Sequence, residues 1–167
     1  MTHPLFLALR DCPHHGGDNS LYIHSVDTAK CAWRLARAFH MREDRVRAVT
    51  RAALLHDFFG YDWQSERHRR YMSRYSGWKR LRHMHAFIHG PHAARRAARL
   101  FGLDERQKAA IACHMFPLAH MPRSSEAWVL TLADKLVASK EMGETVSWHA
   151  KALCRRYVAP GRAARSR

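Results

Sequence analysis

The sequence predicts an all-α chain, a single-domain helical bundle of about six main helices. Apolar residues recur at three- and four-residue intervals over several long stretches, the spacing of one helix face. Capping and breaking residues fall where those stretches begin and end. No run of alternating apolar and polar residues is long enough to read as a convincing strand.

From Ser20 to Phe39, Ile23, Val26, Trp33, Ala36 and Phe39 mark the first helix. Gly16, Gly17 and Asp18 form a turn before it, and Asn19 or Ser20 is placed to cap it. A second helix is expected from about Arg42 to Phe58, with Val46, Val49, Ala53 and Leu54 on its buried side and Gly60 at its exit. Residues 61–88 mix Trp63, Tyr71, Tyr75 and Trp78 with many arginines, and read as short helices and loop. A third strong helix is expected from about Gly90 to Phe101, with Pro91 in its first turn, where a missing N–H does no harm. The fourth runs from its cap Asp104 to about Met115 and is stopped by Pro117. A fifth starts at Ser124 or Ser125 with Trp128, Val129, Leu132, Leu136 and Val137 in register, and a sixth covers Glu144 to Tyr157. The basic ending, 159–167, reads as a flexible tail.

A chain of 167 residues can bury a real core without disulfide or metal staples. Its net charge of +15 favours anionic partners, although the arginines are spread widely rather than gathered in one stretch. Cys12, Cys31, Cys113 and Cys154 are far apart and form no C-x-x-C pair, as in reduced cytosolic proteins. The N-terminal apolar run is too short for a signal peptide, and no stretch reaches the roughly 18–20 apolar residues of a membrane span. A cytoplasmic protein with no membrane partner is the expectation.

The chemistry must come from groups that bind metal or move protons, because the chain has no glycine-rich phosphate loop, no H-E-x-x-H and no G-x-S-x-G. It has His56-Asp57, set in LLHDFF. A carboxylate among Leu54, Leu55, Phe58 and Phe59 is expensive to bury unless something neutralises it. A metal cation does so, and it also favours His56 in its neutral, ligating form. His24, His89, His114 and Asp134 each sit on, or at the end of, another expected helix. Inward polar groups on successive helices are how bundles assemble metal sites. Four imidazoles and two carboxylates suit iron, manganese or zinc better than magnesium or calcium.

The order H…HD…H…H…D resembles the HD superfamily, mostly metal-dependent phosphohydrolases with a helical core. The likeness extends over roughly residues 14–141, within an expected domain of 1–158. It includes SLYIHSVDTA, AALLHDFFGYDW, HGPHAA, IACHM and LADKLVASKE. The chain looks most like small stand-alone bacterial HD proteins. The resemblance implies that Asp57 bridges two metals, that His24, His56 and Asp134 hold one, and that His89 and His114 complete the second. Two divalent ions, iron or manganese, are then expected, with zinc, nickel, cobalt or magnesium able to substitute in vitro. The implied reaction is hydrolysis of a phosphate ester or anhydride by metal-activated water. Similarity to HD-type diadenosine tetraphosphate hydrolases makes a nucleotide or nucleoside polyphosphate the expected substrate. The chain departs from many HD phosphodiesterases in reading Phe58-Phe59-Gly60-Tyr61 after the pair, and it lacks the GYP motif of the cyclic-dinucleotide branch.

Other residues are candidates for supporting roles. Asp62, shortly after Asp57, is placed to protonate a leaving group or orient the water. Asp27, one turn from His24, is a candidate partner for that ring's second nitrogen. His15, Arg82, Arg123 and Lys135 are candidates to meet substrate, and the arginine-rich segment 67–82 reads as a lid over the site. Two alternatives keep the fold: a mixed-valent di-iron oxygenase using the same six ligands, and a non-catalytic scaffold that holds nucleic acid, which is less favoured. The sequence leaves the oligomeric state open.

Overall fold

The computed structural model describes residues 3–12, 20–61 and 63–158, with side chains described as far as Ser147. His14, His15, Asp62 and the tail 159–167 lie outside the described residues. No strand forms among the described residues, and the all-α expectation holds.

A short helix, α1 (Pro4–Leu7), and a 3-10 turn (Ala8–Asp11) precede the bundle. α2 (Leu21–Ala38) begins at Ser20, whose hydroxyl accepts the Ile23 N–H at 3.4 Å. α3 (Glu43–Leu55) ends earlier than the apolar run suggests, so His56 and Asp57 stand in a turn just past its last residue. α4 (Glu66–Met72) and α5 (Gly77–His83) are the short helices expected between 61 and 88.

α6 (His85–Phe101) corrects the reading of Pro91 as a first-turn residue, because the helix starts before it and carries it inside. The residue before a proline normally avoids the helical region because its Cβ meets the proline ring. Here that residue is Gly90, which has no Cβ. α7 (Glu105–Cys113) opens on a capping box in which Asp104 and Gln107 satisfy each other's backbone N–H groups. α8 (Ser125–Val158) merges the expected fifth and sixth helices into one of 34 residues. Gly143 is the weakest helix former between them, and a helical glycine costs only about 1 kcal/mol relative to alanine.

α2 packs on α3 and α8, α6 packs on α7, and α7 packs on α3 and α8. The core departs in part from that apolar spacing, although Ala36 and Val129 are buried. On α2 and its C-cap the large residues Ile23, Trp33 and Phe39 are about half exposed, whereas Ala29, Ala32, Ala36, Ser25 and Thr28 are buried. Small side chains let α3 and α8 come close to α2 around the polar groups between them. α8 behaves alike: Ala127, Leu130 and Ala133 face inward, and Trp128, Leu132 and Leu136 face solvent.

Candidate metal centre

Six polar side chains meet in the middle of this bundle. His24 comes from α2, His56 and Asp57 from the turn after α3, and His89 from α6. His114 follows α7, and Asp134 lies on α8. All six are buried, none more than 6% exposed. The backbone explains why they point inward. His56 and His114 occupy the first position past a helix end, where the side chain turns back over the last turn.

Three imidazoles are oriented by their own helices. Nδ1 of His56 donates to the Ala53 carbonyl at 2.7 Å, and Nδ1 of His114 donates to Ile111 at 2.7 Å. Nδ1 of His89 donates to His85 at 2.9 Å. A carbonyl only accepts, so each Nδ1 carries a proton and each Nε2 faces the cluster. Burial opposes a second proton on both His56 and His114, but on His56 Asp57 and Asp134 outweigh it. His24 is held differently, its Nδ1 lying 3.1 Å from a carboxylate oxygen of Glu141 on α8.

The carboxylates divide the imidazoles into two sets. Asp57 Oδ2 lies 3.9 Å from His24 Nε2 and 3.6 Å from His56 Nε2, and Asp134 Oδ1 lies 3.3 and 3.4 Å from the same two atoms. Asp57 Oδ1 instead faces His89 and His114, at 3.4 and 3.8 Å. Asp57 thus spans both sets with one oxygen to each. Nε2 of His89 and of His114 are only 3.0 Å apart.

The electrostatics are those of a site that wants positive charge. Burial opposes a proton on His24, but its hydrogen bonds to Asp134 and Glu141 prevail and carry its pKa up to about 10. Burial works to raise the Asp57 carboxyl, yet His56, His89 and His114 around it hold it well below the usual range. Asp134 is likewise held low against its burial, by the His24 and His56 rings beside it. His114 moves the other way: burial, reinforced by His56, pushes it down to about 3. His56 Nε2 and Asp57 Oδ1 are buried without a hydrogen-bond partner, a costly arrangement unless a ligand engages them. His24, His56 and Asp134 form one group close enough to share an ion, and His56, Asp57 and His114 form another. The donor set fits a divalent metal.

Comparison with known families agrees. The family described as HD domain matches residues 21–139, well over half of the chain.

The chain belongs to the HD domain family.

No curated protein and no solved structure matches it. The matched span of this HD domain includes all six clustered residues. HD domains are commonly metal-dependent hydrolases, and the His/Asp cluster is compatible with divalent metal binding. No described helix is long and apolar enough to cross a membrane.

The remaining sequence candidates fall in different places. Lys135 reaches the cluster's edge, its ammonium 2.8 Å from Asp134 Oδ2. Arg82 is exposed on α5, and Arg123 is exposed just before α8. Asp27 is not the partner of His24; it pairs with Lys30 at 2.8 Å on the outer side of α2, and Glu141 takes the place expected for it. The arginines of 67–82 are exposed on and beside α4 and α5, where Arg67, Arg70, Tyr71 and Arg74 line a recess of about 520 Å³.

Three aromatic groups stand beside the site. Tyr61 lies 3.0 Å from His85 Nδ1 through its hydroxyl, Trp63 stacks on His85, and His85 stacks on His89 at 4.6 Å. The loop that carries Tyr61 turns at Gly60 (φ +74), where the guanidinium of Arg96 occupies the space a Cβ would need. That same guanidinium sits 4.9 Å over the Phe58 ring, bracing the residue next to Asp57.

Proposed function

We propose that this HD domain is a metal-dependent phosphohydrolase acting on a small phosphorylated metabolite, a nucleotide or nucleoside polyphosphate. The observation that carries the reading is the convergence of four imidazole Nε2 atoms on the two carboxylates, with Asp57 facing both halves of the cluster. In this reading His24, His56 and Asp134 hold one iron or manganese ion, His89 and His114 hold another, and Asp57 joins them. Bound metals would supply Lewis acidity, easing loss of a proton from the attacking water and stabilising the charge that develops on the phosphoryl oxygens.

The chain's own groups do the rest. Glu141 fixes the His24 ring, and the three backbone carbonyls fix the others, so the ligands need little reorganisation. Burial keeps bulk water from the carboxylates and strengthens every charge interaction among them. Lys135 stands beside Asp134, where its ammonium meets a phosphoryl oxygen, and Asp62 is the candidate acid for the leaving group.

The test pairs metal analysis with phosphate release from a nucleotide panel, on wild type and Asp57→Ala. About two iron or manganese ions per chain and phosphate release in wild type, both lost in Asp57→Ala, are the expected result. Undiminished phosphatase activity in the variant would overturn the mechanism. Oxygen uptake without phosphate release would replace the hydrolase reading with the oxygenase one.

A further inference from the structure

The outward side of α8 carries a second concave surface. Trp128 and Leu132, both a little over 40% exposed, combine with Phe39 and Met41 after α2 and Phe116 after α7. Together they line a groove of about 770 Å³, within the size range of small-molecule sites. Its walls are aromatic and aliphatic, and Phe116 and Trp128 meet edge to face at 5.6 Å.

Two further features indicate what the groove takes. Thr131 also lines it, is only 5% exposed, and has a buried hydroxyl oxygen without a hydrogen-bond partner. Such a group is unfavourable unless a ligand atom answers it. Lys135 lines the same groove and bonds Asp134 at 2.8 Å, so one side chain belongs to both the groove and the edge of the His/Asp cluster. Trp128 to Lys135 is roughly 10 Å along the helix at 1.5 Å per residue. Of the other cations lining the groove, Arg45 is committed to Glu126 and Arg42 lies 3.3 Å from Asp44. The groove thus has an apolar body, with Lys135 at the end next to the cluster and the paired Arg42 and Arg45 also among its lining.

We infer that this groove is the subsite for the non-reacting half of the substrate, a phosphate ester whose alcohol carries an aromatic or bulky apolar body. The inference rests on the phosphohydrolase reading and narrows its substrate class. Phosphate lies at Lys135 and Asp134, and the organic body lies along Leu132, Trp128 and Phe116. Binding energy from that remote half is what positions the ester for reaction at the cluster.

The test compares 1-naphthyl phosphate with phenyl phosphate, whose leaving groups are of similar acidity, using phosphate release by the metal-loaded protein. Binding of 1-naphthyl phosphate is followed separately on the metal-loaded protein, through the fluorescence of its non-hydrolysable phosphonate analogue. Trp128→Ala removes a wall and Leu132→Trp fills the groove; both positions are partly exposed, so the fold has room for either change. Each variant is expected to lower the naphthyl-over-phenyl preference in kcat/KM about tenfold, and to weaken naphthyl phosphate binding by a similar factor. An unchanged preference and unchanged binding in both variants would overturn the groove. Binding that depends on Trp128 and Leu132, without hydrolysis of either ester, would keep the groove and remove the hydrolase reading. Hydrolysis with a preference that neither variant alters would do the reverse.

Discussion

His89 and His114 aim their Nε2 atoms at each other across 3.0 Å, while each gives its Nδ1 proton to a backbone carbonyl. Two lone pairs at that separation repel. A proton between them is disfavoured on the His114 side, because burial and His56 push that ring down to about 3. A cation ligated by both rings removes the repulsion. We therefore expect wild-type protein to carry about two divalent ions per chain, and His89→Ala or His114→Ala to carry about one, by elemental analysis. Chelation should lower the Tm of the wild type. A ligand at a hundredfold excess over its Kd stabilises the folded state by about 2.7 kcal/mol.

Glu141 offers a test of the other half of the cluster. It fixes His24 through a carboxylate 3.1 Å from Nδ1 rather than through a carbonyl of the same helix. Groups that orient a ligating histidine typically contribute roughly 10–100-fold in metal affinity. Glu141→Ala should weaken the ion held by His24, His56 and Asp134 by such a factor, read by titration against a competing chelator. Unchanged affinity would show that His24 needs no such partner.

Gly90 is predicted to be intolerant for the sake of the site more than of the fold. A Cβ there would lie 3.1 Å from the carbonyl oxygens of Ile111 and Ala112, and 3.4 Å from His114 Cε1. Alanine favours a helix by about 1 kcal/mol over glycine, which offsets part of the crowding. Gly90→Ala should shift Tm by only a few degrees. It should, however, lower metal affinity about tenfold, the magnitude expected when the support of a ligating histidine is disturbed. Calorimetry and metal titration on one preparation separate the two effects.

The Arg45–Glu126 pair sets a pH dependence away from the metal. Arg45 binds Glu126 through two nitrogens, at 2.6 and 2.7 Å, and these bonds hold the Glu126 carboxyl at about 2 against an ordinary value of 4.5. The folded value is the lower one, so the unfolded chain binds the proton first as acid is added. The pair's stabilisation is complete above about pH 4.5 and is lost as pH falls through about 2. Arg45 is a third exposed, and solvent screening limits the contribution to about 1 kcal/mol. Urea unfolding at pH 7 and pH 3 should show this acid loss in wild type and a smaller one in Glu126→Gln.

The six clustered residues were legible in the sequence because each is a polar group in an apolar setting, in a recurring order. The helices themselves were legible from their spacing and caps. What spacing did not reveal is which side of a helix faces in. On α2 the inner face is Ala, Ser and Thr, which carry weak hydrophobic signals, and the strong signals of Trp33 and Phe39 point outward. Pro91 concealed the first turns of α6, because its effect depends on Gly90 before it. Glu141 was hidden by dividing α8 in two. On a continuous helix it lies two turns beyond Asp134, on the same face, and that spacing was the available signal.

The three local Nδ1 hydrogen bonds bear on how the centre forms. His56, His89 and His114 bond carbonyls three or four residues back, so each ring is aimed as soon as its own helix or helix end forms. His24 alone waits for a residue 117 positions away. The last ligand to be aimed during folding is thus the one whose alignment reports that α8 has docked. A chain stalled before that point would present three aimed imidazoles and one that still turns freely. A metal that needs all four rings would then be held only once α8 has closed on the bundle.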